Sequence, residues 1–386
     1  MILVFILYLL VFILYLLVFI LIMYQFDKRI VMTLDAGGTN FVFSAIRSNE
    51  EIVEPITLPS NGDNLEKCLE TMVTGFSAIK LKLPEEPVAI SFAFPGPSDY
   101  VNGIIGDLKN LPAFQGGVAL GAFLKNKFNI PVFINNDGDL FAYGEALAGA
   151  LPEVNRMLRD AGKNKVYKNL IGITLGTGFG GGVVRDGELF LGDNGAAAEV
   201  WVLRDKRQPI YGVEEGISIR AIKREYACLS GDTRKLTPKD IFEIAEGNLE
   251  GNPTAAREAF DRAGEVLGEA IASMNAVVDG IVVIGGGIVA AHKYLMPAVM
   301  RELNGTLEMY EGAPADRMEM KAFFLNDPGD CAAFLTPTSR RIVVPGTTET
   351  VEYDPVKRMG VITTKLGTSR AIAFGAYAFA LNELDK

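Results

Sequence analysis

A chain of 386 residues, 49% hydrophobic and 22% charged, fits one large two-lobed unit or two domains of ordinary size, and it can bury a core. Its net charge of -10 and the lack of any basic run argue against a nucleic-acid surface, which is built from clustered Lys and Arg. Cys68, Cys228 and Cys331 are far apart, so they indicate neither a disulfide framework nor a cysteine zinc site and suit a reducing cytoplasm; a single histidine, His292, leaves carboxylates to move any proton.

From Met1 to Phe26 no residue is charged, and about 20 apolar residues suffice for a helix to cross a hydrocarbon core. No Lys or Arg precedes this run and no small-residue cleavage site follows it, so a secretory signal is a poor reading. Lys28 and Arg29 would keep the remainder inside the cell, tethered to the inner face of the membrane through residues 1–22. The segment also repeats itself: LVFILYL fills Leu3 to Leu9, returns from Leu10 to Leu16, and starts again at Leu17. Such identity points to a tandem duplication in the coding DNA, or to upstream sequence translated from a misplaced start, with Met23 or Met32 as the true beginning. Anchor and artefact both stay open. A zipper is not expected, because all seven positions are apolar and no polar outer face exists.

Beyond it, Arg29 to Asp35 reads as a strand that meets Gly37 and Gly38, and Phe41 to Ile46 resumes a strand pattern. Leu65 to Ile79 and Leu140 to Leu151 have helical apolar spacing, while Val88 to Phe94 and Ile130 to Ile134 read as buried strands. The opening then recurs: a strand from Leu170 to Leu175, a glycine cluster from Gly176 to Gly182, and a strand from Val183 onward. Two related lobes are therefore expected. A long helix over Arg257 to Asn275 leads to the strand Gly280 to Ile284. Ala313 to Lys365 is mixed, with strand-like pieces at Arg341 to Val344 and Val351 to Tyr353, and a helix is expected from Ser369 to Leu384.

Four constellations carry chemistry. Asp35-Ala36-Gly37-Gly38-Thr39-Asn40 ends a strand with adjacent glycines whose N–H groups can approach phosphate oxygens; Thr39 can donate, and Asp35 can hold Mg²⁺ directly or through water. An ordinary hairpin turn would look similar. Leu175-Gly176-Thr177-Gly178-Phe179-Gly180 offers a second backbone cradle, and two cradles could grip one triphosphate; neither is a Walker loop, since no GKS or GKT follows. Ile284-Gly285-Gly286-Gly287 suits close packing against an adenine or ribose. Finally, Asn135-Asn136-Asp137-Gly138-Asp139 follows a buried strand and precedes a helix. Asp137 is the candidate base for a hydroxyl proton and Asn136 its hydroxyl-binding neighbour, while Asp139 reads better as a helix cap.

The order DAGGTN, FPGP, NNDGD, LGTGFGGG, a paired-glutamate region and IGGG, with LGTSRA near Leu366, resembles the ROK family of bacterial sugar kinases within the actin-like ATPase superfamily. The resemblance implies an α/β fold of two actin-like, RNase H-like lobes, over 27–145 and 146–386, with the last helix a candidate for packing back on the first lobe. It implies ATP and Mg²⁺ as cofactors, a sugar as substrate in the cleft between the lobes, closure on sugar binding, and a homodimer in the cytoplasm. Asp137 is then the catalytic base, and Gly96, Asn136, Glu199 and Glu214 line the sugar, with glucose or N-acetylglucosamine favoured and O6 the acceptor. Departures accompany the match: Val202 stands where the family carries a histidine, and Arg207 to Val213 replaces its cysteine zinc motif. No zinc site is therefore expected, and Glu214 would be positioned by packing alone. Trp201, the only tryptophan, is a candidate to stack on a sugar face. The alternative is a sugar-sensing regulator that has kept the fold without turnover.

Overall fold

The computed structural model describes residues 24–96, 98–106 and 112–386. The apolar segment read as an anchor lies outside them, apart from a turn at 24–26, and so does Pro97. Among the described residues no helix is long and apolar enough to cross a membrane. The chain divides into two compact units: one gathers the described residues up to Pro152 with Gly182–Ala198 and Lys365–Lys386, the other Glu153–Gly181 with Glu199–Thr364.

In the first unit β1 (Val31–Ala36) turns back antiparallel as β2 (Asn40–Arg47), which also pairs with β3 (Glu50–Glu51) and β4 (Ile56–Pro59). Two further strands, β5 (Ala89–Ala93) and β6 (Val132–Asn135), extend the sheet in parallel, giving the order β3–β2–β1–β5–β6. Every residue of β5 is buried, because both faces of the sheet are covered. On one face Phe43, Phe76, Phe92 and Phe94 meet in edge-on or tilted pairs and pack with Met72 and Ile79 of the helix Leu65–Lys80. That helix starts where Asn64 accepts from the backbone N–H of Lys67. The other face receives the last helix, Thr368–Asp385, through Phe374, Tyr377, Ala380 and Leu381.

The helix expected over 140–151 is in fact two, Asp137–Ala148 and Ala150–Asp160. The break falls at Gly149, where the buried Glu145 carboxylate takes the N–H of Ala150 at 2.7 Å and leaves no space for a side chain. Asp137–Ala148 and the last helix cross through glycines. A methyl group on Gly144 would collide with the carbonyl oxygen of Ala371, and one on Gly375 with that of Leu140.

The second unit repeats the plan. Its first strand, β7 (Leu170–Leu175), turns into β8 (Phe179–Arg185), which carries the chain into the first unit, where it pairs with β9 (Glu188–Leu189). A parallel neighbour of β7 follows in β10 (Ile281–Gly285). A short hairpin, β11 (Thr306–Leu307) and β12 (Ala315–Asp316), precedes β13 (Lys321–Phe324), and a second, β14 (Arg340–Val343) and β15 (Thr350–Tyr353), precedes β16 (Arg358–Thr363). Parallel to both, β16 lies between β10 and β13, so the segment that was opaque in sequence supplies the outer strands of this sheet. The helix Pro253–Val278 packs against His292–Leu303 at another glycine: a methyl on Gly268 would lie 2.6 Å from Glu302 Cβ.

The glycine crossing in the first unit sets a testable expectation. Gly375→Ala should lower Tm by roughly 2–10 °C, because backbone on the facing helix cannot yield without overpacking; an unchanged Tm in a thermal melt would show that the two helices do not meet there.

Candidate functional site

The sequence-selected residues fall into two groups, one in each unit. In the first, parallel register places Asp35 beside Ala93 and Ala93 beside Asn135, so Asp35, the chain leading to Gly96, and Asn136 and Asp137 all leave the sheet at one edge. Side chains alternate along a strand, so this row is a consequence of register alone.

The turn after Asp35 is tight. A Cβ on Gly37 would stand 2.8 Å from the carbonyl oxygen of Asn40, whereas Gly38 has open space beside it, and Gly38, Thr39 and Asn40 are exposed. Ser60, buried, clamps the turn by donating its N–H to the Thr39 carbonyl at 2.9 Å and its hydroxyl to the Gly38 carbonyl at 2.8 Å. Sequence reading did not select Ser60; a lone serine after a short edge strand carries no signal. Ser369, inside LGTSRA, hydrogen-bonds the Asp35 carboxylate. Asp35 is itself exposed, but the protein packed around its carboxyl pushes it above the ordinary range and the Ser369 bond offsets part of the rise.

Asn136, not Asp139, caps the helix that follows: its side-chain oxygen accepts the N–H of Gly138 at 2.7 Å. Asp139 instead lies buried within the first turn. The cap commits the amide oxygen of Asn136 and leaves its Nδ2 to donate elsewhere. A Cβ on Gly96 would lie 3.4 Å from that Nδ2 and would collide with the hydroxyl of Tyr100, which donates to the Phe94 carbonyl at 2.9 Å. Glycine at 96 thus keeps the approach to Asn136 clear.

Asp137 reaches solvent at the strand end although protein crowds it on most sides. That crowding raises its carboxyl, the N–H of Gly138 at 2.9 Å lowers it, and the Asp35 charge raises it again. Because the group meets water, the rise is smaller than in a sealed cavity. Neither Asp35 nor Asp137 forms an ion pair with a Lys or Arg among the described residues. A carboxylate without a cationic partner at a strand end, as Asp35 is, is a donor that a hard divalent cation would satisfy.

In the second unit, the turns after β7 and β10 lie at the ends of neighbouring parallel strands, with Gly285 paired to Thr174. Gly286 has φ +94°, and a side chain there would collide with the backbone of Leu175; Gly176 and Gly287 have open space beside them. Thr177 is exposed, and Gly180 lies half-buried in β8. His292 is exposed at the start of its helix.

Glu214 is not held by packing alone. One carboxylate oxygen accepts the N–H of Phe179 at 2.9 Å and the other accepts from Arg220 at 2.5 Å. Glu199 accepts the indole N–H of Trp201 at 2.7 Å, so the tryptophan orients a carboxylate, and 42% of its surface stays exposed. No hydrogen bond joins Glu199 to Glu214 among the described residues.

The ROK family model matches residues 31–329. An N-acetyl-D-glucosamine kinase of Vibrio parahaemolyticus is 28% identical over 272 residues, 66% of this chain and 83% of that protein. A glucokinase of Thermotoga maritima is 28% identical over 287 residues, 68% of this chain and 83% of that one. The crystal structure of a glucokinase from Parabacteroides distasonis is 56% identical, with a TM-score of 0.84, covering 93% of this chain and 99% of that one. The fold is the actin-like one that the motifs implied.

A carboxyl whose folded pKa is raised favours the folded state below its unfolded value, about 3.9, and loses that contribution as pH climbs through the folded value. Asp137→Asn, without nucleotide or Mg²⁺, should therefore match the parent's Tm near pH 4 and exceed it progressively toward pH 8. Melts showing a lower Tm for the variant across that range would refute the burial argument.

Proposed function

The chain belongs to the ROK family, and we propose that it phosphorylates a hexose or N-acetylhexosamine, glucose or N-acetylglucosamine being favoured, at O6. It is a carbohydrate kinase with ATP as donor and Mg²⁺ as the accompanying ion. The observation that carries the finer reading is the solvent-reaching Asp137 carboxylate, set beside Asn136 at the strand edge and raised above the ordinary aspartate range by the protein around it.

Asp137 would accept the hydroxyl proton as the sugar oxygen bonds to the γ-phosphorus, while the bond from that phosphorus to the β,γ-bridging oxygen breaks and its electron pair leaves with ADP. A raised pKa makes the carboxylate a better proton acceptor than an ordinary aspartate. Asn136 offers its remaining amide donor to a sugar oxygen, Glu199 and Glu214 accept from sugar hydroxyls, and Gly96 leaves room for the ring. In the first unit the backbone of Gly37 and Gly38, the hydroxyl of Thr39 and the amide of Asn40 would take phosphate oxygens; in the second, the turn of Gly176, Gly178 and Gly180 with the Thr177 hydroxyl would do the same, and Gly285, Gly286 and Gly287 would allow close approach of the nucleoside. Asp35 would hold Mg²⁺, directly or through water, and the ion neutralises charge on the transferring group when bound. The same reading places the reaction in the cytoplasm and carries over the homodimer that the resemblance implies.

ADP release by the chain with Mg·ATP, run over glucose, N-acetylglucosamine, N-acetylmannosamine, mannose, fructose and allose, should single out glucose or N-acetylglucosamine. Asp137→Asn should reduce kcat at least about a hundredfold. A folded protein that binds ATP yet shows no sugar-dependent turnover would favour a sugar-sensing regulator instead. Trp201→Phe keeps the ring and removes the N–H to Glu199, so KM for the accepted sugar should rise about threefold to tenfold with kcat little changed; an unaltered KM would remove Glu199 from the sugar's contacts.

A further inference from the structure

The segment that begins at Glu214 is bonded to the glycine cradle at three successive places. The N–H of Phe179 donates to Glu214 Oε2 at 2.9 Å, the N–H of Ile219 donates to the Gly176 carbonyl at 2.9 Å, and Arg220 Nη1 reaches the Thr177 carbonyl at 3.4 Å. The fit is close enough that a Cβ on Gly178 would stand 2.6 Å from Glu214 Oε2. Arg220 also forks across two carboxylates, its Nη2 lying 2.5 Å from Glu214 Oε1 and 2.6 Å from Glu215 Oε1, and its Nε 3.0 Å from Glu215 Oε1. Among the described residues Arg220 is thus a side chain bonded both to the Glu214 carboxylate and to the backbone of the glycine turn.

We infer that Arg220 is a positioning residue that couples sugar binding at Glu214 to nucleotide binding at Gly176–Gly180. The inference rests on the kinase reading above. Arg220 is 48% exposed at its side chain, and exposed ion pairs contribute little to stability, so a fold-holding role is a poor explanation for four bonds from one guanidinium. Its planar fork instead fixes direction. Without it Glu214 keeps only the Phe179 N–H, and its other oxygen can turn away. A sugar hydroxyl that settles on Glu214 then no longer orders Thr177 and Phe179, and with them the turn that would cradle the phosphates. Linkage requires the reverse effect to be equal: nucleotide in the cradle should tighten sugar by the same factor.

The test is calorimetric. The affinity of the full chain for Mg·AMPPNP is measured with and without saturating accepted sugar, in the parent, Arg220→Met, Arg220→Lys and Arg224→Met. Arg224 lies one turn on, loses the same charge, and bonds Glu215 but neither Glu214 nor Thr177. The parent and Arg224→Met should bind nucleotide about tenfold more tightly with sugar present, within the usual span of coupled sites. Arg220→Met should show less than a twofold effect at an unchanged Tm, and Arg220→Lys, which keeps the charge but not the fork, should fall between. Should Arg220→Met lose Tm, Arg220→Lys decides alone. Parental coupling in Arg220→Met, or no coupling in a parent that turns sugar over, would overturn the inference and leave the kinase intact; a parent without sugar-dependent turnover would overturn both.

Discussion

Register in the first sheet sets Asp35, Ala93 and Asn135 side by side, and the rest of that half of the site follows from it. Parallel strands expose their carboxyl ends along one edge, which is where open α/β sheets bind ligands. A slip of one residue in β5 or β6 would exchange side chains between the two packed faces and displace Asn136 and Asp137, so core packing and site geometry are enforced by the same register. The completely buried β5 makes such a slip costly. Placement of the candidate base is therefore a by-product of packing that the fold needs anyway.

Against that stability stands the charge at the edge. Asp35 and Asp137 are both raised by burial, and Asp137 further by the Asp35 charge, with no lysine or arginine ion-paired to either among the described residues. An isolated pair of this kind disfavours the folded state at neutral pH. It is tolerable when a divalent ion and a triphosphate complete the charge balance in use, and tolerable in their absence because Asp137 still reaches water. The helix that Asn136 caps also helps, since Asp137 sits in its first turn, where backbone N–H groups favour a carboxylate.

Much of this was legible in the sequence for identifiable reasons. The strand-turn-strand at Asp35 was readable because two apolar runs flank a glycine pair, and the helices Leu65–Lys80, Pro253–Val278 and Thr368–Asp385 because their apolar spacing holds over several turns. The strands β14 and β15 were found from β-branched pieces alone, since a hairpin pairs locally. By contrast β13 and β16 pair in parallel with each other and with β10 from far along the chain, and a short strand such as RMGVIT has no local signature of a distant partner. Helix starts misled for a different reason: Asn136, Asp137 and Asp139 are all good caps, and only the actual bond to Gly138 chooses between them. Ser60, Ser369 and Arg220 were missed because each acts across a turn that brings it next to a motif, and sequence distance hides that.

The approach to Glu214 shows how a local substitution is absorbed. Where the family resemblance implies a cysteine motif, the chain runs through 203–213 as a small closed loop: Val213 donates to the Leu203 carbonyl at 2.6 Å, Arg204 and Gly212 form a bridge, and Tyr211 donates to the Gln208 carbonyl at 2.9 Å. Asp205, 5% exposed, takes the N–H groups of Arg207 and Gln208 at 2.7 and 3.2 Å. Hydrogen bonds to a buried charge are worth about 1.5–3 kcal/mol each, so this carboxylate can pin the loop without a metal. The pinning ends at Val213, one residue short of the site, and Glu214 itself must then be oriented by Phe179 and Arg220. A metal staple would fix that carboxylate through the fold of the loop; here its direction depends on charge-assisted bonds at the protein surface, which salt and pH can weaken. The loop and the arginine are thus two parts of one solution, the first supplying position and the second direction.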